Sequence, residues 1–137
     1  MKKQRILIVD DSKPILCLLE VILQKRFDVY AANDGFSAMN WLMEGNRPDI
    51  IISDLQMPNI DGIELISYLS NSKYYDGVPV IVLSGTDEDE ILKKCGNVQI
   101  TDYITKPFDP ADLLEKIDKA LKKREEKQFP KGSYLLS

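Results

Sequence analysis

Five short, apolar, β-branched segments recur along the chain with helical patterns between them, and this alternation limits the fold more than any other feature. The segments are Arg5–Val9, Val29–Ala32, Ile50–Ser53, Val78–Leu83 and Tyr103–Ile104. Stretches such as IIIS and VPVIVL are apolar throughout rather than alternating, as expected of parallel strands covered on both faces. Pro79 at the head of its strand is an allowed position. Behind the first strand, Ile15, Leu18, Leu19 and Ile22 repeat at helical spacing, and Pro14 fits a first turn. Ala38, Met39 and Leu42 predict a second helix. Leu65, Ile66 and Leu69 predict a third, started by Asp61 and Gly62, and Ile91, Leu92 and Cys95 a fourth. The last helix has Asp109 to cap it, Pro110 to open it, Asp112 at its positive end, and an apolar stripe of Leu113, Ile117, Ala120 and Leu121. The expected fold is α/β: a doubly wound, five-stranded parallel sheet with helices on both faces.

The 137 residues suit one domain. Past about Lys122 the text KKREEKQFPKGSYLLS reads as a fraying helix end followed by a tail. Phe129, Tyr134, Leu135 and Leu136 suit either packing back on the domain or a linker. The longest nearly unbroken apolar run, Pro14 to Leu23, is too short to span a bilayer and carries Glu20. The basic start Met1 to Arg5 is followed by only four apolar residues before the aspartates, so no secretory leader is expected. A net charge of -4 with scattered basic residues argues against non-specific binding to nucleic acid or anionic lipid. Cys17 and Cys95 lack metal-binding or redox spacing and are expected to be reduced thiols in the cytoplasm. The chain has no histidine, so any phosphohistidine chemistry must use another protein.

The chemistry lies where the strands end. In a doubly wound sheet the residues after each strand gather along one edge, where such folds bind ligands. The first strand is followed by Asp10 and Asp11, the third by Asp54, the fourth by Ser84, Gly85 and Thr86, and the fifth by Thr105, Lys106 and Pro107. Each residue has a plain structural role when taken singly: a helix cap, a loop carboxylate, a core hydroxyl, a solvated lysine. Together they conflict. Two carboxylates 4 Å apart repel by about 4 kcal/mol at an effective dielectric of about 20. A hard divalent cation, Mg²⁺ or Mn²⁺, is the natural compensation, because it takes carboxylate and carbonyl oxygens and leaves room for a phosphate. Three carboxylates, one such ion and Lys106 sum to near neutrality, and a carboxylate beside the ion can act as a nucleophile toward phosphorus.

The stretches VDDS, SDLQMPNIDG, VIVLSG and DYITKPF, in this order and spacing, resemble the receiver domain of two-component response regulators. The resemblance runs from about Lys3 to Lys122 and implies a flavodoxin-like (βα)₅ fold with strand order 2-1-3-4-5, a receiver domain over residues 1–124, and a tail or truncated linker at 125–137. It implies that Asp54 is the phosphoacceptor. Asp11 would ligate the metal directly, Asp10 largely through water, and Gln56 through its backbone carbonyl, with Asp54 completing the set. Lys106, joined to Pro107 by a cis bond, and the backbone of Gly85 would contact the phosphoryl group. Ser84 would turn toward that group and Tyr103 would change rotamer with it, reshaping the surface of helix 4, strand 5 and helix 5.

The resemblance further implies a cytoplasmic signalling switch rather than a turnover enzyme. Its chemistry would be limited to self-phosphorylation from phosphodonors and autodephosphorylation. The expected partners are a histidine kinase or histidine phosphotransfer protein and a downstream protein, with no direct nucleic acid and no membrane, as a monomer or a weak phosphorylation-dependent dimer. Alternatives are the receiver portion of a longer regulator or hybrid kinase, an unphosphorylated interaction module, and a Mg-dependent aspartyl phosphatase. For the phosphatase, Leu55-Gln56 does not supply the second acid beside the nucleophile. Receivers more often carry threonine at Ser84 and alanine at Gly85, and the run Gly96–Asp102 is about three residues longer than usual. Trp41, Tyr74 and Tyr75, at helical spacings, are expected to be core.

Overall fold

The computed structural model describes residues 3–55, 57, 61–96 and 100–128. The chain forms β1 (Arg5–Val9), α1 (Lys13–Leu23), β2 (Asp28–Ala32), α2 (Gly35–Met43), β3 (Ile50–Asp54), α3 (Gly62–Ser70), β4 (Val80–Ser84), α4 (Glu88–Cys95), β5 (Asp102–Thr105) and α5 (Pro110–Gln128), with one 3₁₀ turn at Lys73–Tyr75. All strand pairs are parallel, in the order β2-β1-β3-β4-β5. This is the flavodoxin-like arrangement expected above.

Side-chain alternation along each strand divides the core between the two faces. Ile6 and Ile8 of β1, Ile50 and Ile52 of β3, and Ile81 and Leu83 of β4 pack with Leu16, Leu19 and Leu23 of α1 and Leu113, Ile117 and Leu121 of α5. Leu7, Val9, Ile51 and Val82 point the other way, against Ala38 and Leu42 of α2, Leu65, Ile66 and Leu69 of α3, and Ile91 of α4. Both faces are apolar because both are covered, so the strands read as continuous hydrophobic runs.

The helices start where their caps place them. Ser12 caps α1 weakly, with Ile15 N donating to its hydroxyl at 3.5 Å, whereas Asp34, Asp61 and Asp87 accept from Ser37, Glu64 and Glu90 amides at 2.7, 2.9 and 3.0 Å. Several strand ends shift by one residue, and two boundaries move further. β4 begins at Val80 rather than Val78, because the Val78 amide is spent on Tyr75 O at 3.1 Å. α5 continues to Gln128, past the fraying expected near Lys122. The run KKREEKQ consists of good helix formers, and the breakers Pro130 and Gly132 come only later. Residues 129–137 lie outside the described residues.

Trp41 and Tyr75 are buried as expected, but Tyr74 is 52% exposed and rests edge-on against Tyr75. Among the described residues no helix is long and apolar enough to cross a membrane.

Candidate functional site

Strand register brings the acidic residues together. Val9 stands opposite Ser53, so Asp10 lies level with Asp54. Asp54 stands opposite Leu83, which places Ser84 one step further on, and Ser84 stands opposite Thr105, directly before Lys106. Residues from four strand ends thus reach one edge of the sheet within two residues of a common level. Asp54 and Ser84 are themselves the last residues of β3 and β4.

Asp10, Asp11 and Asp54 each offer a carboxylate oxygen, and these atoms all lie within 4.8 Å of one another. Asp10 and Asp54 are buried, whereas Asp11 is exposed at the mouth. Asp10 Oδ1 accepts the Ser12 amide at 2.9 Å. Its Oδ2 forms an ion pair with Lys106 Nζ at 2.8 Å, and this buried oxygen has no well-aligned donor. Lys106 Nζ also donates to Asp54 Oδ2 at 3.4 Å. Burial of Lys106 lowers its pKa, but Asp10 and Asp54 outweigh that effect, and the net shift is upward. The ammonium is therefore charged at neutral pH.

The donor set fits a small, hard cation. It consists of three clustered carboxylates, one holding a buried oxygen without an aligned donor, and no soft or imidazole ligands. The proposed fourth contributor, the Gln56 carbonyl, lies outside the described residues, as does Pro58 of the quoted motif.

Lys106 directly follows β5 and is held to β4 by its amide, which donates to Ser84 O at 2.7 Å, and the Lys106–Pro107 bond is cis. Asp54 is placed by a close approach of α3. The Gly62 amide donates to Leu55 O at 3.0 Å, and a Cβ on Gly62 would overlap the Asp54 carbonyl oxygen. Only glycine fits at that point.

Ser84 is 2% exposed, and its hydroxyl is held by Thr86: Oγ to Oγ1 at 3.0 Å, with the Thr86 amide donating to Ser84 Oγ at 3.2 Å. Gly85 beside it is exposed, with open space where a side chain would be. Tyr103 stands on β5 opposite Val82, back from that edge, and is half-buried. The Lys116 ammonium stands 5.3 Å from its ring centroid and donates to Tyr103 O at 2.8 Å. The Tyr103 phenol pKa is raised, first by a hydrogen bond to Glu88, then by burial and by the charges of Glu88, Asp102 and Asp89.

Asp10, Asp11, Asp54 and Lys106 therefore converge, Ser84 adjoins them through Lys106, and Tyr103 stands behind on β5. Sequence reasoning did not single out the Thr86 contact with Ser84, although Ser-x-Thr is a spacing at which a hydroxyl meets a backbone amide two residues on. Nor did it foresee that Lys106 would sit closer to Asp10 than to Asp54.

The chain is also similar to known proteins. Residues 6–118 match the response regulator receiver domain. A CheY-like response regulator receiver domain protein from Methanospirillum hungatei is 30% identical with a TM-score of 0.81, covering 92% of this chain and 99% of its own. The chemotaxis response regulator CheY4 of Vibrio cholerae is 29% identical with a TM-score of 0.80, covering 87% and 99%. The receiver domain of a sensor histidine kinase from Pseudomonas aeruginosa, with magnesium coordinated in its active-site cleft, is 26% identical with a TM-score of 0.80, covering 88% and 98%.

Proposed function

This chain belongs to the response regulator receiver family, and on that premise we propose that it is a phosphorylation-dependent switch with Asp54 as its phosphoacceptor. The observation that carries the reading is the meeting of Asp10, Asp11 and Asp54 within 4.8 Å, with Lys106 at 2.8 Å from Asp10 and 3.4 Å from Asp54. Such density of negative charge is costly unless the site serves a cation and an incoming phosphoryl group. Asp10, Asp11, Asp54 and the Gln56 carbonyl are the residues that would hold Mg²⁺ or Mn²⁺. When bound, the ion supplies charge neutralisation for the carboxylates and the phosphoryl oxygens.

The chain's own residues divide the remaining work. Asp54 attacks phosphorus, the bond from phosphorus to the donor's leaving group breaks, and an aspartyl phosphate results. Lys106 pairs with a phosphoryl oxygen, and the Gly85 amide donates to another. The Ser84 hydroxyl turns to the phosphoryl group, and Tyr103 moves into the space that this opens. The surface of α4, β5 and α5 changes, and a partner that prefers the new surface shifts the equilibrium by its differential affinity.

The natural donor in this reading is the phosphohistidine of a histidine kinase or phosphotransfer protein, in the cytoplasm, since the 137 residues contain no histidine of their own. No turnover of an external substrate is proposed beyond self-phosphorylation and loss of the aspartyl phosphate. The test is incubation with Mg²⁺ and a small acyl phosphate, followed by mass spectrometry. One phosphoryl group on Asp54, absent in Asp54→Asn, is expected. A phosphoryl group retained elsewhere in Asp54→Asn would overturn the assignment.

A further inference from the structure

From the contacts of Ser84 we infer that Thr86 is a positioning residue that latches the Ser84 hydroxyl and so sets how readily the switch engages a phosphoryl group. This rests on the phosphoacceptor reading above. Ser84 is buried at the end of β4, and its hydroxyl is engaged twice by the same neighbour. The Thr86 hydroxyl lies at 3.0 Å and the Thr86 amide donates to it at 3.2 Å. A serine hydroxyl has a single proton and a low rotational barrier, so its direction follows the partners it is offered.

When Ser84 turns toward a phosphoryl oxygen, as proposed above, its hydroxyl leaves its hydrogen bond with the Thr86 hydroxyl. Any free energy held in that bond is subtracted from the affinity for the phosphoryl group, because the competent rotamer is only fractionally populated beforehand. One neutral hydrogen bond contributes about 1 kcal/mol, or roughly a five-fold bias between the two rotamers. Gly85 leaves open space beside this turn, so steric crowding cannot substitute for the latch.

Two substitutions separate the hydroxyl from the rest of the residue. Thr86→Val keeps the β-branched shape and the backbone amide but deletes the hydroxyl, while Thr86→Ser keeps the hydroxyl. The first measurement uses metal-free protein and reads the Ser84 χ1 population from Hα–Hβ couplings. A single dominant rotamer is expected in wild type and Thr86→Ser, with averaging in Thr86→Val. The second titrates each protein with beryllofluoride in saturating Mg²⁺ and follows the Ser84 and Tyr103 amide resonances. Thr86→Val is expected to bind about 3- to 10-fold more tightly than wild type, and Thr86→Ser within about two-fold of it.

Equal affinity and equal couplings in Thr86→Val and wild type would overturn the latch. Weaker binding by Thr86→Val would also overturn it, by showing that the hydroxyl assists the bound state. Wild-type protein that takes up no beryllofluoride would instead overturn the phosphoacceptor reading, and the inference with it.

Discussion

Substituting Gly62 with alanine tests how tightly the start of α3 is pressed against the strand end that carries Asp54. The new Cβ would overlap the Asp54 carbonyl oxygen, lie 2.8 Å from Leu55 Cα and lie 3.0 Å from the Asp54 carbonyl carbon. Ordinary contacts of a Cβ begin at 3.4 Å, so against Leu55 Cα alone the helix start must retreat by about 0.6 Å (3.4 − 2.8). None of the three atoms is the flexible end of a side chain. They belong to the backbone of β3 and of the residue that follows it, which are buried, with Asp54 paired to β4. Overpacking of this kind costs about 1–3 kcal/mol. Stretching the Gly62 amide bond to Leu55 O, now 3.0 Å, adds up to about 1 kcal/mol. The better helix propensity of alanine offsets about 1 kcal/mol. The expected net loss is about 2 kcal/mol. With a urea m-value of about 2 kcal/mol/M, the unfolding midpoint should fall by about 1 M at unchanged m. Gly85→Ala, where no atom lies within 4 Å of the added carbon, is the control and should change stability by less than about 0.5 kcal/mol. A Gly62→Ala midpoint within about 0.2 M of wild type would refute the close-approach reasoning.

Lys106→Ala removes the ammonium shared by two buried carboxylates, so in metal-free buffer the melting temperature should drop by several degrees, corresponding to about 2 kcal/mol. Added Mg²⁺ should recover more of that loss than it adds to wild type, and equal Mg²⁺ increments in the two proteins would contradict the shared-charge picture. Tyr75→Phe deletes a buried hydroxyl that donates to Leu42 O at 2.7 Å, and should cost about 1–2 kcal/mol in urea unfolding. The Tyr75 phenol is pushed up to about 12 by burial and by neighbouring Tyr68 and Tyr74. A raised pKa favours the protonated folded form, so the Tyr75 contribution is complete below the ordinary value of 10.0 and lost as pH climbs through about 12. The stability gap between wild type and Tyr75→Phe should therefore narrow across that interval, and a constant gap would count against the shift.

The fold was legible because its evidence is local. A parallel strand covered on both faces must be apolar at every position, and Ile50–Ile52 and Val80–Leu83 are written that way. Caps announce themselves too: Asp61 and Asp109 each stand before a helical pattern, and each accepts an amide at the helix start. The end of α5 was less legible, because a mixed-charge run suits a solvated helix as well as a tail. Tyr74 shows the same limit. Its neighbour Tyr75 is buried, and only the direction of the 3₁₀ turn decides which ring faces out.

By itself, then, the chain's spelling determined five strands, the helices between them, and the acids, hydroxyl and lysine that follow those strands, because periodicity and capping act over a few residues. Packing alone decided the distances. Parallel register set Asp10 level with Asp54, two faces of helices buried the pair, and desolvation made Lys106 their charge partner, nearer to Asp10 than to Asp54. The grip of Thr86 on Ser84 and the pressure of Gly62 on Asp54 belong to the same class. Contacts of this kind are settled at the scale of a few tenths of an ångström, which no spacing along a sequence encodes.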